Sequence, residues 1–299
     1  MNWLIIKFAR VGITAIALTA TAGAAFADGM DKGPAPAPAA PKSDWVLTGN
    51  FAGTSEYVFR GFSQSAQTPT VQAGVDLAYK WFYIGAWGSG IDFGRDNVNA
   101  AGPGKDVAHV EVDLYAGIKP VIGRFNFDFG VIAYVYPNAL DRGRAGNPPL
   151  PGLFRELNYY ELKGGVSTEV WKDATAGVTA FWTPTGTNDT GSVTTIEGAF
   201  SQVLPKARDI TPTFGATLGY QTGNDTRYRL LVANNAADNY LYWNAGMTLG
   251  FGDRFSVDLR YWDTNIKSNN LTGGGVGNFC TGSTFQCDER FVATLKVTY

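Results

Sequence analysis

Taken at every second residue, the stretch from Trp45 to Gly61 separates into two unlike sets. Trp45, Leu47, Phe51, Tyr57 and Phe59 fall in one, with small residues between them; Thr48, Asn50, Thr54, Glu56 and Arg60 fall in the other. Alternation at period two predicts a β-strand whose two faces meet different surroundings. The pattern recurs down the chain. Val71, Val75, Leu77 and Tyr79 oppose Gln72, Asp76 and Lys80; Val110, Val112, Leu114 and Ile118 oppose Glu111 and Asp113. Phe125, Phe127, Phe129 and Val131 oppose Asn126 and Asp128; Tyr160, Leu162, Val166 and Val170 oppose Glu161, Lys163 and Glu169. Similar sets centre on Val178, Leu218 and Met247, then on Leu259 opposite Asp258 and Arg260, and finally on Leu295 opposite Arg290 and Lys296. Two segments leave their outward side open: the third, from Phe82, is aromatic on both faces, and the eighth, near Val193 to Gln202, is blurred.

Twelve such segments result, each about ten residues or longer, where soluble strands average five or six. A tilted strand crosses a bilayer with about 9 to 11 residues. The joins alternate between tight ones, such as Lys80-Trp81 and Gly252 to Arg254, and long ones, such as Pro137 to Arg155 and Asp263 to Glu289. Only the eighth-to-ninth join, around Pro205, blurs the rhythm. Because an unpaired sheet edge cannot sit in hydrocarbon, such a chain must close on itself, and an even strand number returns both ends to one side. The expected fold is an all-β, transmembrane antiparallel β-barrel of about 12 strands, with short periplasmic turns and long extracellular loops. The polar faces hold Thr, Asn, Gln, Tyr and charges of both signs, the mixture of a narrow wet lumen.

The N-terminus changes the picture by fixing a compartment. Lys7 and Arg10 precede an apolar run from Val11 to Leu18, and Ala25-Phe26-Ala27 supplies small residues where a signal peptidase reads, so residues 1–27 are expected to be removed after Ala27. Of 24 Lys+Arg, losing Lys7 and Arg10 leaves 22 against 26 Asp+Glu. That acidic balance does not recommend nucleic acid as a partner. Residues 28–43, with alternating Pro and Ala, read as a flexible linker, and residues 44–299 as one barrel domain. Charged residues make up only 17% of the chain, below the 25% or so of soluble domains, while 14% are aromatic and 37 are glycine, a mixture unusual for a cytosolic enzyme that points to many strands and tight turns. The expected location is the outer membrane.

The C-terminal FVATLKVTY ends in an aromatic with apolar residues at alternate positions: Phe291, Leu295, Val297 and Tyr299. It is similar to the terminal strand by which the barrel assembly machinery recognises its clients. The runs GTSEYVFRGFSQS, PTVQAGVDLAY, GAWGSGIDF, VEVDLYAGIKP, FDFGVIAYVYP and CDERFVATLKVTY together resemble the TorF family of porin-like proteins, over most of residues 46–299. The resemblance implies an outer-membrane barrel with a transport role and brings no catalytic residues.

Candidate chemistry is sparse. Cys280 and Cys287 lie in the longest loop of an exported chain and are expected to form a disulfide, pinning a small loop by about 2 kcal/mol. His109, the sole histidine, begins a polar face beside Glu111 and Asp113 and is the one suspect for hydrolysis, but no GxSxG accompanies it. GPGKD at 102–106 and LTGGGVG at 271–277 lack the spacing and context of a phosphate loop. No metal or cofactor is expected. Glu56, Arg60, Asp76, Lys80, Glu111, Asp113, Asp128, Glu161, Lys163, Glu169, Asp258, Arg260 and Lys296 share the inner side. They either line a constriction that selects solutes or pair with one another and fill the lumen. The expected function is a porin-like channel for ions or small hydrophilic solutes. The alternatives are a non-conducting barrel whose loops bind a partner and an outer-membrane hydrolase.

Overall fold

A computed structural model of the chain describes residues 44–96, 105–140, 156–226, 228, 238–266, 280 and 284–299. The expected signal peptide with its Ala27 cleavage site, the 28–43 linker and LTGGGVG lie outside the described residues, as does most of GPGKD.

Twelve strands make the wall: β1 (Trp45–Thr54), β2 (Thr70–Tyr79), β3 (Phe82–Gly90), β4 (Val110–Ile118), β5 (Phe125–Val135) and β6 (Tyr159–Trp171), then β7 (Ala174–Thr183), β8 (Val193–Val203), β9 (Ile210–Gly223), β10 (Asn239–Phe251), β11 (Phe255–Thr264) and β12 (Arg290–Thr298). Each pairs antiparallel with its sequence neighbours. The last strand returns to the first, with Phe51 opposite Val297 and Gly53 opposite Leu295. Pairing of β5 with β6 completes the ring, so no wall strand is left with an open edge. Two-residue strands at 58–59 and 62–63 form a small separate hairpin, and those at 95–96 and 105–106 form another.

The period-two pattern decides which face meets what. Leu47, Val75, Leu114, Phe129, Leu218 and Leu295 stand exposed on the outside, whereas Asn50, Asp76, Glu111, Thr217 and Lys296 are buried inside. Apolar side chains left uncovered over a whole closed wall are stable only against hydrocarbon, so the exterior is the membrane-facing surface. The two ambiguous segments also resolve. In β3, Phe82 and Ile84 face out while Tyr83 and Trp87 face in; in β8, Ile196 faces out while Thr195 and Glu197 face in. On the inward face of β3 the Tyr83 hydroxyl finds a polar partner in Asp128, and Trp87 packs edge-on against Tyr57.

One rim carries the tight joins at 80–81, 119–124, 172–173, 204–209 and 252–254, together with the outer ends of β1 and β12. The other rim carries the longer connections. At the blurred join, an Ala207–Ile210 bridge tightens what Pro205 would loosen. Lipid exposure makes a direct prediction. Val178, at mid-length in β7 between Val166 and Gly198, is half exposed to the outside. Val178→Arg is expected to lose about 2 to 4 kcal/mol of stability in bilayer refolding titrations, with Val178→Leu near neutral. An Arg variant as stable as wild type would remove lipid from that face.

Candidate functional site

The strand alternation that opens at Trp45 does not continue in the wall to Gly61. After Ser55, which still pairs with Ala293 of β12, the chain leaves the cylinder, and residues 56–65 fold back into the lumen. Tyr57 and Phe59, grouped with the outward apolar set by periodicity, point inside instead; Tyr57 is fully buried and donates a hydrogen bond to Glu111 Oε1 at 2.7 Å. The reversal is made by a tight turn in which Arg60 and Gly61 both adopt positive φ, 49° and 87°. Gly61 is required there twice over, since a Cβ would also lie 2.4 Å from Thr264 Cγ2. Gln64 N donates to Tyr57 O at 2.7 Å and closes the base of the hairpin.

At its tip, Arg60 crosses to a strand five positions round the wall. Its Nη1 and Nη2 donate to Glu161 Oε1 and Oε2, both at 2.7 Å, a bidentate pair in which the side chains are 4% and 2% exposed. Tyr134 adds a hydrogen bond to Glu161 Oε2 at 3.2 Å, and the guanidinium lies over the rings of Phe59 and Phe181 at 4.7 and 5.0 Å. Tyr240 donates to the Arg60 carbonyl at 3.1 Å. Burial opposes the Arg60 charge, but the Glu161 carboxylate outweighs it and raises the guanidinium pKa well above its usual value. The hairpin is thus latched across the lumen.

Other contacts brace it. Arg290 Nη1 donates to Glu56 Oε1 at 2.6 Å, tying the start of the hairpin segment to β12. Cys280 and Cys287 form the expected disulfide, and the segment it anchors supports the hairpin from the long-loop side: Ser63 N donates to Gln286 O at 2.9 Å, and Thr264 Oγ1 to Cys287 O at 2.9 Å.

Nearer the short-turn rim the remaining inner charges form wall clusters. Tyr115 donates to Asp76 at 2.8 Å. Asp128 accepts from Tyr83 at 2.8 Å and from Lys163 at 3.0 Å. Arg260 binds Asp258 through Nε and Nη2 at 3.0 and 2.8 Å, and Asn244 through Nη1 at 2.8 Å. Small inward residues make room for these rings; a Cβ on Gly85 would sit 2.2 Å from Tyr115. Asp113 is completely buried on β4, and Lys296 faces inward between Ala52 and Ser256.

Two residues expected inside are not. Lys80 occupies the tight turn after β2 at φ 54°, exposed and 3.8 Å from Asp44. Glu169 lies exposed at the foot of β6, just before a register shift, and accepts from Asp173 N at 3.1 Å. Alternation assigned them to the inner face, but both lie where the strand has already reached the rim and the pleat no longer fixes direction. His109 is likewise at a rim, exposed, with Nε2 3.2 Å from Asp106. That hydrogen bond, followed by one from Arg95, holds the Asp106 carboxyl below its ordinary pKa.

Periodicity missed several lumen residues. Glu197, which accepts a hydrogen bond from Tyr242, sits in the blurred eighth segment; the Thr195, Glu197, Ser201 spacing opposite Ile196 was the available signal. Tyr57, Tyr134 and Tyr242 were invisible as polar groups because a tyrosine counts as apolar in an alternation test.

A protein-family model described as "Bacterial protein of unknown function (Gcw_chp)" matches residues 38–299. The chain belongs to the Gcw_chp family. No curated protein matches it. Among solved structures, this Gcw_chp barrel is similar to the KdgM porin, at 8% identity and a TM-score of 0.46 over 85% of this chain and 98% of that one. The NanC porin gives 11% identity and 0.45 over the same shares, and LpxR from Salmonella typhimurium gives 12% and 0.39 over 84% and 99%. These likenesses are in fold only. The latched hairpin belongs to the Gcw_chp chain's own geometry.

Proposed function

We propose that the protein is an outer-membrane channel, a porin of the TorF type, that passes ions and small hydrophilic solutes through a lumen narrowed by the Arg60 hairpin. The observation that carries this reading is the hairpin latched to Glu161 inside a lumen where buried carboxylates, bases and tyrosine hydroxyls stand among packed aromatic rings. A barrel serving only as an anchor for loops could fill its lumen with apolar side chains, which avoids the cost of burying so many charges. Polar walls with one inserted segment are what a narrow, selective passage needs. Delivery through the signal peptide, and recognition of Phe291, Leu295, Val297 and Tyr299 by the assembly machinery, belong to the same proposal. So does outer-membrane lipid as the partner of the apolar wall. The chemistry calls for no cofactor.

Charge supports a sign of preference. Glu56, Asp76, Glu111, Asp113, Asp128, Glu161, Glu197 and Asp258 face inward, against Arg60, Lys119, Lys163, Arg260, Arg290 and Lys296 among the described residues, eight carboxylates to six bases. Purified, folded protein in a planar bilayer should show small discrete conductance steps, and a KCl gradient should give a reversal potential on the cation side. Conducting steps with anion preference would remove the charge argument. Absence of steps from heat-modifiable protein, both wild type and lacking the hairpin, would leave the loop-binding barrel as the better reading.

A further inference from the structure

Above the latch, on the long-loop side, the described residues leave a recess in the lumen. Its floor is the Arg60–Glu161 pair, and its walls come from the hairpin, the upper ends of the wall strands and the Phe285 segment. Half-buried rings of Phe59, Phe62, Tyr159 and Phe285 line it, interleaved with the amides of Gln64, Asn188 and Gln221 and the hydroxyls of Thr187 and Thr190. The amides are held in place. Gln221 Nε2 donates to Thr195 Oγ1 at 2.9 Å while its Oε1 accepts from Tyr228 at 3.3 Å, and Gln64 Nε2 donates to Phe62 O at 3.1 Å.

We propose that this recess binds a neutral, hydroxylated ring, a sugar of one or two rings, as the solute captured before passage. Three features of the lining select that class. Among the described residues Arg60 and Glu161 are the charged groups of the lining, and they are bound to each other through both carboxylate oxygens, so an ionic solute would meet no free counter-charge there without breaking a buried pair. Aromatic faces accept the C–H face of a sugar ring. Fixed amides and hydroxyls suit the hydroxyl edge, whereas a wholly apolar ring would desolvate them without return. The inference deepens the channel reading by naming its solute, and it can fail separately because binding is measured at equilibrium.

The test is titration calorimetry or saturation-transfer NMR on the full chain folded in detergent, with maltose, glucuronate and benzyl alcohol as probes. Maltose should bind saturably, and more tightly than either other probe. Phe62→Leu, which keeps bulk but removes the flat face, should weaken maltose roughly tenfold, with Phe62→Trp restoring it and the lipid-facing Val178→Leu leaving it unchanged. Tighter glucuronate, or benzyl alcohol in place of maltose, overturns the sugar assignment. No saturable maltose binding by protein that conducts overturns the site while leaving the channel. Binding without conductance keeps the site and removes the channel.

Discussion

Replacing Val58–Ser63 by two glycines is expected to raise the single-channel conductance several-fold and to strengthen the cation preference. The excision is geometrically mild, because Gln64 N already bonds Tyr57 O at 2.7 Å and the two ends of the deletion lie side by side. What it removes is the segment that spans the lumen, with Phe59, Arg60 and Phe62. What it exposes is Glu161, whose carboxylate loses its guanidinium partner. A wider path and one more uncompensated negative charge both act in the stated direction. The check is a planar-bilayer recording of wild type and variant under one KCl gradient, with heat-modifiability to confirm that the barrel is folded. Unchanged conductance would mean that the hairpin does not set the narrowest point.

Breaking the latch from the other side should cost stability. In Glu161→Gln the guanidinium of Arg60 stays buried without its carboxylate, a change that costs on the order of 3–5 kcal/mol for fully buried pairs. The rings of Phe59 and Phe181 lessen the penalty, so the low end is expected. The double variant Arg60→Met, Glu161→Leu should recover most of the loss, since matched apolar groups remove the unpaired charge and keep the packing. Urea midpoints under reversible micelle refolding, at constant m, give the cycle directly. Single and double variants of equal stability would show that the pair is a contact without energetic weight. The single variant should also flicker in bilayer recordings, as the hairpin samples released positions.

A wall with an apolar exterior places the protein against lipid; the inserted segment is what narrows the proposed channel. The wall was legible because its information is local. Whether Leu114 or Asp113 meets lipid follows from the pleat of a single strand, and the cost of the wrong assignment is large on either face. Even so, the test failed where a strand ends. Lys80 and Glu169 obeyed the alternation and still lay at the rim, because a turn residue at φ 54° and a register shift before Trp171 cancel the pleat. Tyrosine limited it in the same way: at Tyr83, Tyr115 and Tyr242 an apolar body carries a hydroxyl that only an inward carboxylate makes visible as polar.

By itself, the amino-acid order determined the strand number, the outward face of most strands, closure into a ring and the disulfide, since each rests on period-two patterning, on strand and loop lengths, or on the presence of just two cysteines. Only the tertiary structure decided that residues 56–65 turn inward, that Arg60 finds Glu161 across 101 positions and that Glu56 finds Arg290 across 234. Those pairings depend on the circumference of a closed ring and on which strands face each other across it. No window of sequence shorter than the whole barrel contains that distance.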